Sequence, residues 1–351
     1  MAQNNKIGIL TSGGDSPGMN ACVVSCARIA AYYGMTLVGI KRGYNGLLGQ
    51  SEKPSDDMET FTKSELLDIA DLPGTYLKTA RCKAFYDPEV RKEAAKRIRE
   101  SGFTAIIVIG GDGSFTGALE LSELGVPCIC IPGTIDNDLG FTEKTLGYDT
   151  AVNVSVNAVR AIRATSRSHE RPHVVQVMGR RSGDIALKTA MATGAEMLVV
   201  PECEWDIDQI SKRMMNLIER GNNRSTLIIG EHCWHMMKPY DWKKVLKDAG
   251  DRVHDDDELD APTLARVLKR LTGAEVRSTV VGYTQRGATP SSSDSAFAFE
   301  TAKTAINLIR CGNTNLAIGQ KHGMVYSLPI KEALNIHHVF NIDTYELINQ
   351  L

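Results

Sequence analysis

Short apolar runs recur along the chain, each followed by a turn and then by an amphipathic stretch. "KIGIL" leads through "TSGGDSPG" into "MNACVVSCARIAAYY". "TAIIVIG" leads through "GDGS" into "FTGALELSEL", with Gly125 placed to end the helix. "CICI", "HVVQVMG" and "AEMLVV" precede "DTAVNVSVNAVRAIR", "RRSGDIALKTAMAT" and "DIDQISKRMMNLIER". "STLIIG" and "RSTVVGY" supply two more strands. Apolar runs without polar alternation mark parallel strands buried on both faces. Helices between them make right-handed crossovers. The pattern predicts an α/β fold of two doubly wound, mostly parallel sheet domains with helices on both faces. In "DPEVRKEAAKRIRESG", Asp87 is the N-cap, Pro88 sits at N1 and Glu89 suits the positive end of the dipole. Val90, Ala94, Ala95 and Ile98 form its apolar stripe, and Gly102 follows its end.

One region breaks the pattern. From about Cys233 to Leu259 the chain is polar, holds two tryptophans and ends in Asp255-Asp256-Asp257-Glu258, which reads as a surface excursion. The acidic run lacks the alternating spacing of an EF-hand calcium loop. His232 and His235 in "EHCWH" are not arranged as in H-E-x-x-H.

A length of 351 residues suggests two domains, which need not be continuous in sequence. The expected segments are 1–147 with about 285–335, and 148–284 with about 336–351. A formal net charge of −2 offers no basic excess for a nucleic-acid backbone. No apolar run approaches the ~20 residues that span a bilayer. "MAQNNKIGIL" lacks the apolar stretch of a signal peptide, so the expected location is the cytoplasm. The eight cysteines show no C-x-x-C pair and no zinc spacing, and read as buried reduced thiols.

Ligands of a doubly wound sheet bind beyond the carboxyl ends of its strands. Three turns there complement one another. "TSGGDSPG", Thr11 to Gly18, offers bare backbone N–H groups before a helix. "GGDGS", Gly110 to Ser114, adds a hydroxyl and the carboxylate of Asp112, which makes sense beside phosphates if Mg²⁺ lies between them. "PGTIDND", residues 132 to 138, places Thr134, Asp136 and Asp138 directly after a buried strand. Two carboxylates that close repel each other unless a metal, a proton or solvent relieves them. No G-K-[ST] occurs, so this is not a P-loop ATPase. Phosphoryl transfer to a hydroxyl would use one carboxylate as base and another to hold water or metal, with cations steadying the moving group. Arg81, Arg171, Arg180, Arg277 and Arg286 lie near strand or helix ends and are the candidates.

"GILTSGGDSPGMN", "GGDGS", "PGTIDNDLGFTEKTLGYDTA", "VMGRRSGD" and "TQRGATP", in this order from about Ile7 to Ile318, resemble the bacterial ATP-dependent 6-phosphofructokinase family. The resemblance implies transfer of the γ-phosphoryl of ATP to the 1-hydroxyl of fructose 6-phosphate, with Mg²⁺, in the committed step of glycolysis. It implies Asp136 as general base, with Thr134 and Asp138 flanking it at the substrate and the metal, and Asp112 on Mg²⁺. Gly14, Arg81, Cys82, Gly111, Gly113 and Ser114 would line the ATP site, with Arg81 also serving the transition state. Met178, Gly179, Arg180 and Glu231 would hold the sugar. Arg286 would hold its 6-phosphate, and Arg171 and Arg277 would reach in from a neighbouring subunit of a homotetramer. Pyrophosphate-using members commonly carry aspartate at the equivalent of Gly113 and lysine at that of Gly133. Those side chains fill room that ATP needs, so both glycines favour ATP.

The sequence departs from the family in places. Tyr283 stands where a histidine is usual at the 6-phosphate, which removes a charge and keeps a hydrogen-bond donor. Another sugar phosphate, such as sedoheptulose 7-phosphate, thereby becomes less remote. Arg28, Arg163 and Glu196 match the family's effector pocket for ADP or phosphoenolpyruvate. Val24 replaces an arginine there, and "GNNR", Gly221 to Arg224, replaces a lysine-rich turn, so effectors should act weakly. The rival readings are a pyrophosphate-dependent enzyme, a kinase of another sugar phosphate, and a catalytically dead binding paralogue.

Overall fold

The computed structural model describes residues 6–49, 53, 56–61 and 67–351. The expectation for the N-terminal stretch falls partly on residues 1–5, which lie outside the described residues. In chain order the elements are β1 (Lys6–Thr11), α1 (Met19–Tyr32), β2 (Thr36–Ile40), α2 (Asn45–Leu48), β3 (Met58–Thr60), α3 (Pro88–Glu100), β4 (Phe103–Gly110), α4 (Asp112–Glu123) and β5 (Cys128–Pro132). There follow α5 (Tyr148–His169), β6 (His173–Val177), α6 (Asp184–Thr193), β7 (Met197–Val199), α7 (Ile207–Glu219), β8 (Thr226–Gly230), α8 (Trp242–Asp248), α9 (Ala261–Thr272) and β9 (Arg277–Val280). The last are α10 (Ser292–Arg310), β10 (Leu316–Lys321), β11 (Met324–Pro329), α11 (Ile330–Leu334) and α12 (Ile342–Gln350).

The chain divides into two compact units. One is Met1–Thr150 with Arg286–His338, and the other is Ala151–Gln285 with Val339–Leu351. The first unit holds a sheet in the order β11-β10-β5-β4-β1-β2-β3. Its β10-β5-β4-β1-β2 centre is parallel, and β3 and β11 pair antiparallel at the edges. Successive residues of β4 go to opposite faces. Ile107 and Ile109 join the layer of α1 and α10, while Ile106 and Val108 join that of α2, α3, α4 and α11. This two-sided burial is why the strand lacks polar alternation.

The second unit holds a parallel sheet in the order β7-β8-β6-β9. Val174, Met197, Val199, Leu227 and Ile229 pack against the layer of α7, α8 and α9. The presumed surface excursion is corrected here. Cys233, Trp242 and Leu246 are buried in this core, and Trp234 packs edge-on against Trp205. Trp242 and Leu246 sit four apart on α8, so both face the core while Lys244 between them faces solvent. Most polar positions between these anchors stay exposed, as does the acidic end, where Lys247 pairs with the exposed Asp255 at 3.2 Å.

Local signals account for several boundaries. The Asp87 carboxylate accepts the Glu89 N–H at 2.9 Å and opens α3. Asp260 does the same for Thr263 at the start of α9, and Gly273, at φ +72°, closes it. Strands β2, β3, β10 and β11 were not among the sequence expectations, and α6 begins at Asp184 rather than at Arg180. No helix among the described residues is long and apolar enough to cross a membrane. Five of the eight cysteines are buried, whereas Cys82 and Cys203 are half-buried and Cys311 is exposed, which corrects a uniformly buried set.

Candidate active site

The first sheet changes winding direction between β1 and β4, because β2 lies on one side of β1 and β4 on the other. Ligand crevices form at such a point. The three expected turns leave the carboxyl ends of β1, β4 and β5, which are adjacent strands. Main-chain bonds tie them together: Ser12 N–H donates to Ile109 O, and Gly133 N–H donates to Gly110 O, each at 2.9 Å. A Cβ on Gly110 would fall 2.6 Å from Ser12 O, so only glycine allows this approach.

The second turn differs from its expected form. Asp112, Gly113 and Ser114 are the first turn of α4, with Gly111 as N-cap. Their N–H groups therefore stand at the positive end of a helix dipole, which suits an anion. The Ser114 carbonyl also accepts from the Tyr44 hydroxyl. Asp112 and Gly113 are exposed, and a Cβ on Gly113 would meet nothing within 4 Å. Gly133 is more closely surrounded. A Cβ on Gly133 would fall 2.8 Å from Ile109 Cγ2 and 2.9 Å from Met19 Cε. A side chain at Gly133 would have to displace these two side-chain ends, whereas one at Gly113 would enter open space.

The third turn is folded on itself. β5 runs through Pro132, and Leu146 N–H donates back to Pro132 O at 2.9 Å. Thr134 Oγ1 accepts the Asp136 N–H at 3.1 Å. Asn137 is buried and adopts φ +53°, a left-handed conformation that asparagine tolerates. Asp136 and Asp138 are half-buried.

Arg81 is exposed and Cys82 half-buried, with the Cys82 thiol pushed up by burial. The segment before them is pinned to the first turn. Thr11 donates to Lys78 O at 3.0 Å, and Thr79 donates to Gly13 O at 2.7 Å. Arg286 opens the returning segment of the first unit and pairs with Asp15 at 3.3 Å. Its guanidinium lies 3.4 Å from where a Cβ on Gly14 would stand.

In the second unit the carboxyl ends of β6, β8 and β9 gather Met178, Gly179, Arg180, Glu231 and Gln285. Glu231 Oε1 accepts the N–H groups of Gly179 at 3.3 Å and Arg180 at 2.6 Å. Gln285 Oε1 accepts the Met178 N–H at 2.8 Å. Arg180 adopts φ +54°. Arg277 opens β9 and is exposed, 3.6 Å from Glu275, while Arg171 is half-buried. Tyr283 is 79% exposed. Also in this unit, Arg163, Arg167, Glu196, Asn222 and Arg224 line a cavity of about 210 Å³. Arg163 is committed within it, to Thr193 O, Gly194 O and Glu196. Arg28 is exposed on α1 of the first unit, and Val24 is buried in that unit's core.

The residues that sequence reasoning missed are Asp15, Thr79, Thr145, Gln285 and Tyr44. Gln285 and Asp15 lie inside the quoted motifs, so their signal was present. Thr145 also lies inside a quoted motif, whereas Thr79 and Tyr44 act by long-range contacts that no spacing reveals.

Among the described residues, no three His, Cys, Asp or Glu side chains converge to hold a metal by themselves. Magnesium is ordinarily held through one or two carboxylates together with phosphate oxygens, and the exposed Asp112 at the start of α4, beside the glycine-rich turns, fits that donor set.

Comparison with known proteins identifies the family. Residues 6–309 match the family described as Phosphofructokinase. The chain is 40% identical over 341 residues to the ATP-dependent 6-phosphofructokinase of Alkaliphilus metalliredigens, covering 97% of each. It is 37% identical over 346 residues to ATP-dependent 6-phosphofructokinase 1 of Clostridium perfringens, covering 99% of each. Among solved structures it resembles phosphofructokinase from Saccharomyces cerevisiae, at TM-score 0.81 and 26% identity. That match covers 98% of this chain and 50% of the yeast chain, so this protein spans about half its length. A pyrophosphate-dependent phosphofructokinase from Marinobacter aquaeolei shares the fold, at TM-score 0.80 and 18% identity, covering 98% of this chain and 91% of that one. The chain belongs to the phosphofructokinase family.

Proposed function

We infer that the protein is an ATP-dependent 6-phosphofructokinase, which moves the γ-phosphoryl of ATP to the 1-hydroxyl of fructose 6-phosphate and releases ADP. The reading rests on the union of three turns at the ends of β1, β4 and β5, in a chain whose relatives carry that name. The first turn and the start of α4 bind the phosphates through main-chain N–H groups, with Gly14, Gly111, Gly113, Ser114 and Cys82 lining the nucleotide. Asp136 accepts the proton of the 1-hydroxyl as its oxygen bonds to the γ-phosphorus and the bond to the bridging oxygen of ADP breaks. Thr134 positions that hydroxyl, and Arg81 steadies the charge on the transferring group. Asp112 and Asp138 are the carboxylates that would hold Mg²⁺, which neutralises phosphate charge when bound. Met178, Gly179, Arg180 and Glu231 hold the sugar, and Arg286 its 6-phosphate together with Tyr283.

The protein works as a homotetramer in which Arg171 and Arg277 serve a neighbouring copy. Exposed Arg277 and Val280 on β9, an edge strand, support an interface there. It acts in the cytoplasm, a reducing compartment, which the five buried thiols support. Effectors act weakly. Arg163 is already committed and Val24 is a core residue, so a shift of the fructose 6-phosphate saturation curve with phosphoenolpyruvate would contradict this.

The test is steady-state turnover of fructose 6-phosphate with Mg-ATP and, separately, with Mg-pyrophosphate. Turnover with ATP alone is expected, and turnover with pyrophosphate alone overturns the donor. A second reading, kinase of another sugar phosphate such as sedoheptulose 7-phosphate, is favoured by one observation, the uncharged Tyr283. Turnover of that substrate above fructose 6-phosphate would establish it.

A further inference from the structure

We propose that Thr145 is a positioning residue that holds the catalytic turn through its hydroxyl, with Asn137 as its second point of purchase. The proposal rests on the reading of Asp136 as the base. Thr145 is fully buried, and its hydroxyl has one proton to give. The proton is directed at Thr134 O, 2.6 Å away, and Asn137 Oδ1 lies at 3.3 Å as a second acceptor. Those two residues stand on either side of Ile135 and Asp136. Thr134 in turn accepts the Asp136 N–H, so the hydroxyl of Thr145 holds the same short turn that carries the carboxylate. The next residue, Leu146, fixes the start of the turn at Pro132.

The segment behind Thr145 is itself anchored. Thr142 Oγ1 accepts the Gln320 N–H at 3.0 Å, and Glu143 N–H donates to Gln320 O at 2.9 Å. The Tyr326 hydroxyl donates to Phe141 O. Asn137 Nδ2 reaches Glu143 O at 3.5 Å. The turn is thus suspended between β5 and a segment tied to the β10–β11 hairpin. A misplacement of a reacting group by about 1 Å costs on the order of 100-fold in rate. The hydroxyl matters because it satisfies a carbonyl inside that turn, which no apolar side chain of the same shape can do.

The experiment compares Thr145→Val, Thr145→Ser and Asp136→Asn in the full chain. Steady-state kinetics with fructose 6-phosphate and Mg-ATP are read beside thermal unfolding. The expected result is a kcat for Thr145→Val lower by about 10- to 100-fold, with little change in the KM for ATP. Thr145→Ser should restore most of the rate because it keeps the hydroxyl. Wild-type kcat in Thr145→Val overturns the proposal, and so does an equal loss in the serine and valine variants, which would assign the effect to the methyl group. If the valine variant does not fold, Thr145→Ala decides. That change removes the hydroxyl without adding bulk, so a reduced kcat that Thr145→Ser does not share supports the proposal and an unchanged kcat overturns it. Activity in Asp136→Asn sinks the base assignment instead, whatever Thr145 does.

Discussion

The turns of the first unit and those of the second hold their groups by different means. In the first, main-chain bonds and close-packed glycines fuse three turns to adjacent strands, as at Ser12–Ile109, Gly133–Gly110 and Leu146–Pro132, and buried hydroxyls such as that of Thr145 only add to this main-chain frame. In the second, side chains do the holding: Glu231 takes two backbone N–H groups and Gln285 takes a third. A backbone cradle is set by the fold itself and suits a step in which small displacements are costly. A side-chain cradle tolerates substitution and tunes affinity. The first unit is therefore where changes should act on kcat, and the second where they should act on KM.

The largest expected effect is Asp136→Asn, which should lower kcat by about 100- to 10,000-fold while equilibrium titration still detects ATP binding. A kcat near wild type would break the comparison at its first term. Trp242→Ala should destabilise the second unit by about 3–5 kcal/mol, since it empties a buried aromatic site beside Leu246. Chemical denaturation followed by tryptophan fluorescence would show it, and a loss under 1 kcal/mol would restore the surface reading of that region.

Glu231→Ala removes a charged acceptor from two N–H groups, each bond worth about 1.5–3 kcal/mol. The KM for fructose 6-phosphate should rise by more than about tenfold with kcat changed far less. A fall in kcat at constant KM would show that the second unit's turns act on the chemistry as well. Tyr283→His should lower that same KM, by restoring a donor able to carry charge to an exposed position. An unchanged or higher value would count against Tyr283 as the cause of weakened binding.

The smallest expected effect concerns pH. Burial pushes the pKa of His173 below its ordinary value, and nearby Arg277 adds to this. As pH falls below about 6.5 the unfolded chain takes up the proton first. Stability therefore drops from that point down to the lower folded pKa. In His173→Gln, which can keep the bond to Thr279, the slope of stability between pH 7 and 5 should be shallower. An identical slope would remove His173 from the account.

What the sequence determined by itself was local or motif-borne. Apolar runs without alternation marked β1, β4, β5, β6 and β8, because two-sided burial leaves no polar position to read. Asp87, Pro88 and Gly102 bounded α3, since capping is decided within a few residues. The three turns of the candidate site stood out by glycine and carboxylate content. The tertiary structure decided what depends on partners distant in sequence. The edge strands β3 and β11 owe their place to pairing, and short edge strands carry little pattern of their own. Trp234 and Trp242 looked like surface because polar neighbours surround them in sequence, yet Trp242 is buried in the core of the second unit and Trp234, half-buried, packs against Trp205. Gly113 and Gly133 looked alike, and only the neighbours Ile109 and Met19 separate open space from a filled core. Thr145 is the extreme case: an ordinary threonine in sequence, made consequential by a carbonyl eleven residues away.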